Sequence, residues 1–479
     1  MLPIAEAMPV QARWSEANRQ FLEFVERNPE YLDRGSFASI YEDRSLRKYG
    51  LQPWPLFIGS EQLRELEEIA LGVDRLVKGA LERFLRGDPA RIMEFYRSSL
   101  LEEQDPADYI AISLDEEEIE LLVREPNGIR GALSRGDYIE TRDGFKLVEF
   151  NAGGFLGGLQ TQVIAELHLR SPAVSRFLGE RGVHARAPAT LGPLFRHLVE
   201  DTARMGAWQG GEFNVAFQLY PHEEGWSAMH SAEVYTRELR RVLEETGAAP
   251  GGRVVLCGAE DLVEDGGAVR MEGCPIHAVI EMHDGSADMS DLVRHFKSRR
   301  INLFSGPISA ILLDKRNLVL LSENAASDEF SAAERELIEK HIPWTRRLVP
   351  SRTTFRGRGI RLPEDVVERR DEFVLKKAIS LGGSHVHIGK FRTDAEWRRL
   401  VSRALQEEDW VVQEYLETVR YCFQAGESGA ARFYLVWGLF AFGDHFGGAF
   451  LRMQPAEGGT GVVNAKQGAE VGALLEVVR

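Results

Sequence analysis

The sequence predicts a mixed α/β protein built from several domains. Its 479 residues exceed what a single hydrophobic core usually organises. Between residues 211 and 300, short apolar runs alternate with amphipathic helical patterns, which is typical of a small parallel sheet covered by helices. After residue 300 the apolar runs are short and do not alternate with polar residues, and helical patterns separate them. The expected class is therefore α/β, with an α+β arrangement in the C-terminal part.

These patterns divide the chain into four expected parts. They are an N-terminal helical region (1–130), a segment that contains a hairpin (131–210), a small Rossmann-like α/β unit (211–300) and a C-terminal unit with several strands (301–479). The small α/β unit precedes the C-terminal unit directly, without a low-complexity linker between them. No internal repeat is visible, so the parts are expected to differ in structure.

Four helices have sequence signals that predict their positions. Apolar residues at helical spacing predict a helix over 60–85, and SLDEEEIELLVRE predicts a shorter one over 113–125. Two capping boxes, each a Ser or Thr followed three residues later by Glu, predict helix starts at Ser331–Glu334 and Thr393–Glu396. In the helix after Thr393, the apolar stripe is expected to face a core rather than a cofactor.

Five apolar runs in the C-terminal part are predicted strands. They are AILL (310–313), FVLKK (373–377), HVHIG (385–389), WVVQEYL (410–416) and RFYLVWGLF (432–440).

Composition and charge exclude several classes of partner. The formal net charge of -16 opposes binding to a nucleic-acid backbone. Three scattered cysteines are too few for a disulfide framework or a cysteine-based zinc site. The first residues lack the pattern of a signal peptide, and the most apolar stretch, 433–443, is too short to cross a bilayer as a helix. A cytoplasmic protein that binds neither nucleic acid nor membrane is expected, and a homodimer is compatible with the sequence.

Oxygen-bearing side chains occupy unexpected places in the stretch GDYIETRDGFKLVEFNAGGFLGG (136–158). A hairpin with a three-residue turn ending at Gly144 would place Asp137 opposite Glu149, and the residue two positions earlier opposite Asn151. Facing carboxylates are destabilising unless a cation lies between them. Two carboxylates and an amide suit Mg²⁺ that is shared with substrate phosphates, and the following glycines are expected to make room for substrate or phosphate.

The residues of the hairpin alone leave two alternatives to a magnesium site open. The hairpin could be a solvent-facing edge whose acidic side chains meet only water. A two-residue turn, moreover, would shift the register and move Asp137 and Glu149 to opposite faces of the hairpin.

Further segments are compatible with nucleotide binding. Lys315 follows one predicted strand and Lys376 lies at the end of another, while Gly382-Gly383-Ser384 provides a tight turn. The backbone of 413–416 can present an amide and a carbonyl to a base edge. There is no P-loop motif and no correctly spaced dinucleotide motif. Each signal is weak alone, because such lysines and Gly-Gly turns are usually structural.

The order of these motifs resembles that of the circularly permuted ATP-grasp enzymes, such as glutathionylspermidine synthase. The resemblance covers about residues 131–479, and no trace of the amidase domain of some members is present. The motifs that carry it are RGD (135–137), VEFN (148–151), DKRNLVLL (314–321), VLKKAISLGGSHV (374–386), VVQEYL (411–416) and a late arginine.

The resemblance implies an ATP-grasp fold, with ATP between two lobes, and an ATP- and Mg²⁺-dependent ligation of a small-molecule or peptide carboxylate to an amine. It implies Mg²⁺ ligands at Asp137, Glu149 and Asn151. It implies catalytic contacts to phosphate from Arg135 and Arg452, with Arg432 as the competitor of the latter. It implies ATP contacts from Lys315, Lys376, Gly382, Gly383, Ser384, Gln413, Glu414, Tyr415, Leu416 and Asn464.

Two departures from the family pattern limit these expectations. Lys377 stands where the family often has proline, so Lys376 and Lys377 could exchange roles. Gly153 and Gly154 replace an aspartate of the polyamine-linked members, which leaves the amine substrate open. The same metal site could also serve a phosphotransferase with an alcohol acceptor, or a protein that binds ATP without catalysis.

Overall fold

The computed structural model describes the chain in segments, and every structural statement below concerns these residues. They are 15–32, 50–85, 129–154, 156–218, 228–248, 251–258, 261–281, 290–304, 308–380, 383, 385–407, 409–424, 430–457, 461–464 and 468–478. The helix predicted over 113–125 lies outside them.

The described α-helices are numbered in chain order. They are α1 (Ser15–Arg27), α2 (Ser60–Leu85), α3 (Thr161–Arg170), α4 (Pro172–Arg181), α5 (Leu191–Met205), α6 (Ala228–Glu245), α7 (Ser290–Lys297), α8 (Ile308–Leu313), α9 (Arg316–Glu323), α10 (Ala332–His341), α11 (Glu364–Glu368) and α12 (Asp394–Glu407).

The described strands are numbered in the same way. They are β1 (Leu56–Gly59), β2 (Leu133–Thr141), β3 (Gly144–Ala152), β4 (His184–Arg186), β5 (Phe213–Gln218), β6 (Gly252–Cys257), β7 (Val263–Asp265), β8 (Ala268–Met271), β9 (Cys274–Pro275), β10 (Ala278–Glu281), β11 (Asn302–Leu303), β12 (Thr345–Arg347), β13 (Ser351–Phe355), β14 (Arg358–Leu362), β15 (Phe373–Lys377), β16 (Val386–Ile388), β17 (Trp410–Glu414), β18 (Arg420–Gln424), β19 (Ala430–Phe442), β20 (His445–Pro455), β21 (Glu470–Gly472) and β22 (Leu474–Val478).

A six-stranded antiparallel sheet carries the hairpin that the sequence singles out. Its order is β21–β20–β19–β2–β3, and β18 pairs with β19 as well. Helices α2 and α5 pack against strands of this sheet. The hydroxyl of Ser134 donates to the buried carboxylate of Asp74 on α2 at 2.5 Å, and Lys78 donates to the carbonyl of Ala132 at 2.7 Å. The helix therefore fixes the start of β2.

Two smaller sheets lie in sequence between strands β3 and β18 of the central sheet. Strands β11–β10–β5–β6 pair in parallel, which confirms the parallel pairing predicted within 211–300. Strands β12–β17–β15–β16 pair antiparallel, and α12 packs on β17. From α12, Trp397, Val401 and Ala404 are buried in a separate apolar core with residues of β15 and β17. The predicted core stripe of this helix is thus confirmed.

The N-terminal region contributes a strand as well as helices, which the sequence did not predict. Strand β1 pairs in parallel with the C-terminal strand β22, and β22 pairs on its other side with β4. Glu476 of β22 is buried and accepts hydrogen bonds from Ser60 at 2.6 Å and from Arg186 at 2.5 Å. The two ends of the described chain therefore share one three-stranded sheet.

The strand predicted for AILL is wrong, because this run lies in helix α8. Short apolar runs do not distinguish a strand from a buried helix, and here tertiary contacts decide. The side-chain amide of Asn317 donates hydrogen bonds to the carbonyls of Ile311 at 2.7 Å and Leu312 at 3.2 Å. These bonds satisfy carbonyl groups at the C-terminal end of the helix. The other four predicted strands contain β15, β16, β17 and part of β19.

Other predictions concern the ends of helices and the cysteines. The helix over 60–85 is confirmed with the predicted bounds, and both capping boxes form. The three cysteines are free, as expected. No described helix has both the length and the apolar character needed to cross a membrane.

Glu334 should contribute stability that is lost in acid. It caps α10 and also accepts two hydrogen bonds from Arg83 of α2, which is the main reason that its pKa falls from 4.5 to about 2. Because the folded state binds this proton more weakly than the unfolded state, the contribution is complete above pH 4.5 and disappears as the pH falls towards 2.

We expect Glu334→Gln to lower the free energy of unfolding by about 0.5–1 kcal/mol at pH 7, and by less at pH 3. Urea titrations at both pH values measure the difference. Glu396→Gln is the matched control, because Glu396 caps α12 without an arginine partner on another helix. An equal loss in the two variants would contradict the role of Arg83.

Candidate nucleotide-binding cleft

The turn of the β2–β3 hairpin differs from the prediction. Thr141 pairs with Gly144, so the turn contains two residues, Arg142 and Asp143, and the predicted three-residue turn is wrong. Gly144 has φ +93°, a conformation that glycine adopts without strain. The Thr141 hydroxyl accepts from the Asp143 amide at 3.2 Å and donates to the Gly144 carbonyl at 2.8 Å, which stabilises the short turn.

A β-bulge restores the predicted pairing further along the hairpin. Tyr138 pairs with Leu147, but the next residue of β2, Asp137, pairs with Glu149, so Val148 is the extra residue. Without this bulge, the two-residue turn would place Asp137 opposite Val148 and separate the two carboxylates. The facing pair predicted from the sequence is confirmed, although it arises from a different turn and a bulge.

The Asp137 carboxylate is buried between two arginines. Arg135 donates from Nε to Oδ1 at 2.8 Å and from Nη2 to Oδ2 at 3.1 Å, and Nη2 of Arg452 lies 2.7 Å from Oδ2. The Asn151 amide also donates to Oδ2 at 3.1 Å. Burial would raise the pKa of Asp137, but the two arginines lower it below its usual range.

Gly438 makes this arrangement sterically feasible. It lies on β19, between β2 and β20, and pairs with Asp137 on one side and Phe450 on the other. A β-carbon at this position would lie 2.8 Å from Cδ of Arg135 and 3.1 Å from the carbonyl oxygen of Phe450. The absence of a side chain on the middle strand therefore leaves space for the Arg135 side chain.

The two predicted lysines lie next to the hairpin. Lys315 lies between α8 and α9, and its Nζ is 2.9 Å from Oε1 of Glu149. Lys376 of β15 donates to the carbonyl of the bulged residue Val148 and to Oε1 of Gln413, both at 2.7 Å. Burial lowers the pKa of Lys376 to about 8, although Glu149 acts in the opposite direction.

Lys376 and Lys377 face different surroundings, as neighbours on a strand must. Nζ of Lys377 lies 3.7 Å from Oδ2 of Asp409, and Lys377 is absent from the lining of the cleft described next. Lys376 is therefore the lysine of this pair that faces the cleft.

The hairpin, both lysines and the end of β17 with the residues after it surround a cleft. The lining combines charged side chains with apolar and aromatic ones. The lining residues among the predicted ones are Asp137, Glu149, Lys315, Lys376, Gly383, Gln413, Glu414, Tyr415, Leu416, Arg452 and Asn464.

The segment 413–416 has side chains fixed by contacts outside the cleft. Gln413 donates to the Thr345 hydroxyl at 3.0 Å, and Glu414 accepts from the amide of Trp344 at 2.9 Å. The Tyr415 amide donates to the carbonyl of Glu372 at 2.7 Å. These contacts hold residues 413–415 in place at the edge of the cleft.

Some predicted residues lie elsewhere. Arg135 and Asn151 are behind Asp137 and do not line the cleft, so their direct roles stay predictions. Arg432, the competitor of Arg452, is also absent from the lining. Gly382 and Ser384 lie outside the described residues.

The glycine run after the hairpin has a different function from the expected one. No described residue of 153–158 lines the cleft. Gly158, with φ +81°, packs against Phe450, because an added β-carbon would lie 2.4–2.7 Å from three atoms of that ring. The carbonyl of Gly157 accepts from Nη1 of Arg135 at 3.0 Å. The run thus encloses Arg135 rather than opening space for substrate.

Sequence reasoning missed the apolar residues that line the cleft and the ring of Phe450. These lining residues include Tyr434 and Val436 on β19, which lie two residues apart and therefore on one face of the strand. Val436 pairs directly with Arg452, so alternation along β19 was the available signal. The single apolar run 432–440 conceals this alternation, because both faces of the strand are buried.

The oxygen donors of the hairpin fit a magnesium ion that shares its ligands with a phosphate. The described residues contain no cluster of three or more His, Cys, Asp or Glu side chains suited to a metal, so a site built from protein side chains alone is not present there. Asp137 and Glu149 face each other, and Oδ1 of Asn151 accepts no hydrogen bond from described residues. One or two carboxylates completed by phosphate oxygens are the usual protein ligands of Mg²⁺.

Acidic and basic side chains are balanced along the cleft, although the whole chain carries -16. Lys315, Lys376 and Arg452 line it together with Asp137, Glu149 and Glu414. Nε of Arg452 is buried without a hydrogen-bond partner among the described residues. An anion in the cleft would satisfy this donor.

Comparison with solved structures identifies the overall architecture. A glutathione synthetase-like effector (GSS30) from Globodera pallida, in its apo form, superposes with a TM-score of 0.53 at 12% identity, covering 98% of this chain and 99% of that one. The two proteins share a fold. A protein provisionally described as a gamma-glutamylcysteine synthetase, from Methylobacillus flagellatus, has a TM-score of 0.36 at 12% identity, covering 85% and 88% of the two chains. No protein-family model and no curated protein matches the sequence.

The packing of Gly158 on Phe450 should be sensitive to one methyl group. Gly157 and Gly158 both have positive φ, so alanine at either position should cost about 1–2 kcal/mol in backbone strain. Only at Gly158 does the added carbon meet the ring, and Gly158→Ala should lose about a further 1–3 kcal/mol of unfolding free energy. Chemical denaturation of both variants measures this difference, and equal losses would contradict the close contact.

Proposed function

We propose that the protein is an ATP- and Mg²⁺-dependent carboxylate–amine ligase that forms an amide or peptide bond. One observation carries this proposal. The side chains of Lys315, Lys376 and Arg452 line the same cleft as the facing carboxylates of Asp137 and Glu149. The fold shared with a glutathione synthetase-like effector supports it. The order of the motifs further supports a circularly permuted ATP-grasp enzyme related to glutathionylspermidine synthase.

The charged side chains that line the cleft would bind the phosphates of ATP. Lys315, Lys376 and Arg452 would neutralise the charge that moves during phosphoryl transfer, and fixed donors stabilise such charge without reorganisation. Asp137, Glu149 and Asn151 would hold Mg²⁺, which would neutralise negative charge on the phosphates. Arg135 would orient Asp137, because its guanidinium already donates to both carboxylate oxygens.

The segment 413–416 would contact the base of the nucleotide. The amide of Leu416 makes no backbone hydrogen bond with described residues and lies at the cleft, so it is available as a donor to an adenine nitrogen. The apolar side chains of the lining, such as Val436 and Val463, would cover the faces of the base. Gly383 and Asn464 line the cleft and would lie near the phosphates or ribose.

A carboxylate needs activation before it reacts with an amine, because oxide is a poor leaving group. Transfer of the terminal phosphoryl group of ATP to the carboxylate gives an acyl phosphate and ADP. Attack of a neutral amine on the acyl carbon then forms the amide and releases phosphate. The protein would contribute positioning and charge neutralisation to both steps.

The experiment that tests this proposal measures ADP release from Mg²⁺-ATP with pools of amino acids, short peptides and polyamines. Release that requires both a carboxylate and an amine is expected. Hydroxylamine in place of the amine should yield a hydroxamate. ADP release with an alcohol acceptor, without a hydroxamate, would instead indicate a phosphotransferase.

Arg452→Met should reduce the rate of ADP release by about 10²–10³, because it removes one fixed donor to the transferred group. Arg432→Met is the matched control. It removes an arginine from β19 that does not line the cleft, and it should leave the rate nearly unchanged. Similar losses in the two variants would contradict the role assigned to Arg452.

ATP affinity should decrease as the pH rises through about 8. Lys376 is charged below its pKa of about 8 and neutral above it, so its attraction for phosphate is lost on the alkaline side. Calorimetric titration with Mg²⁺-ATP between pH 7 and 9.5 should show up to about tenfold weaker binding per pH unit above 8. Lys376→Arg should lack this dependence, whereas Lys377→Gln should retain it. A pH-independent affinity of the unmodified protein would contradict the assignment.

A further inference from the structure

Arg135 and Arg452 share one aromatic ring as well as one carboxylate. The Cζ atoms of both guanidinium groups lie 5.6 Å from the centre of the Phe450 ring. Both arginines are buried, with 6% and 5% of their surfaces exposed, and Phe450 is 3% exposed. Phe450 therefore contacts both cationic groups that hold Asp137.

Two buried like charges beside each other need compensation. The single carboxylate of Asp137 supplies one negative charge for two guanidinium groups. The face of an aromatic ring carries negative potential and attracts a guanidinium within about 6 Å. The ring of Phe450 is placed to supply the remaining stabilisation, which an aliphatic side chain of similar size would not.

We propose that Phe450 is a positioning residue that keeps Arg452 oriented towards the phosphate end of the cleft and keeps Arg135 in place on Asp137. This inference rests on the proposed function, because it assigns Arg452 to the terminal phosphate of ATP. Phe450 itself does not line the cleft, so it acts through the arginines.

The surroundings of the ring hold it in place. Gly158 lies against one part of the ring without space for a β-carbon, and Gly438 pairs with Phe450 on the neighbouring strand. Since the carbonyl of Gly157 accepts from Arg135, the same loop restrains both the ring and one guanidinium. If Phe450 only filled space in the apolar core, its ring would not need to contact two guanidinium groups.

Stepwise fluorination of the ring separates positioning from packing. Incorporation of 4-fluoro-, 3,5-difluoro- and 3,4,5-trifluorophenylalanine at position 450 weakens the negative potential of the ring while its shape changes little. The matched control is the same series at Phe442, which is fully buried and stacks on Phe440 at 5.6 Å. Affinities for Mg²⁺-ATP and Mg²⁺-ADP are measured by calorimetry in every protein.

We expect the affinity for ATP to fall with each fluorine at position 450, by roughly two- to thirty-fold across the series, while the affinity for ADP changes little. The Phe442 series should change neither affinity. Phe450→Leu should weaken ATP binding as the fully substituted ring does, and the fluorinated proteins remain informative if Phe450→Leu does not fold.

Unchanged ATP affinity along the series, or equal losses for ATP and ADP, would overturn the role of Phe450 while leaving the proposed function intact. Absence of ATP binding by the unmodified protein would reject the proposed function, and the inference with it.

Discussion

The buried carboxylate of Asp137 is the constraint on which the arrangement of the cleft depends. A buried charge without partners is costly, and two arginines from β2 and β20 offset this cost at Asp137. Strand β19 lies between those strands, so the ion pair between Arg452 and Asp137 crosses it at Gly438, where no side chain intervenes. One carboxylate therefore links β2 and β20 across the middle strand, and the glycine on that strand leaves space for this contact.

The cleft brings three basic side chains together in a chain that is acidic as a whole. A net charge of -16 repels polyanions from the surface as a whole, whereas the cleft concentrates lysine and arginine side chains where water is partly excluded. Lys376 is the clearest case, because burial already lowers its pKa and an incoming phosphate would raise it again.

The sequence was sufficient to predict which chemical groups meet, but not the backbone that brings them together. Asp137 and Glu149 were predicted to face each other from their distance to the turn. The turn is one residue shorter than predicted, and the bulge at Val148 compensates for this difference. Bulges depend on tertiary contacts, here the hydrogen bond from Lys376 to the Val148 carbonyl, and these contacts leave no local signal. Phe450 was equally hidden, since a buried ring next to cations has the same sequence signature as an ordinary core phenylalanine.

The three-stranded sheet that joins the two ends of the described chain has a consequence for biosynthesis. Strand β22 lies between β1 and β4, so the edges of both strands stay unpaired until residues 474–478 have left the ribosome. Unpaired strand edges template association with other chains. Between the synthesis of β4 and that of β22, a nascent chain therefore carries two strand edges that can associate with other chains.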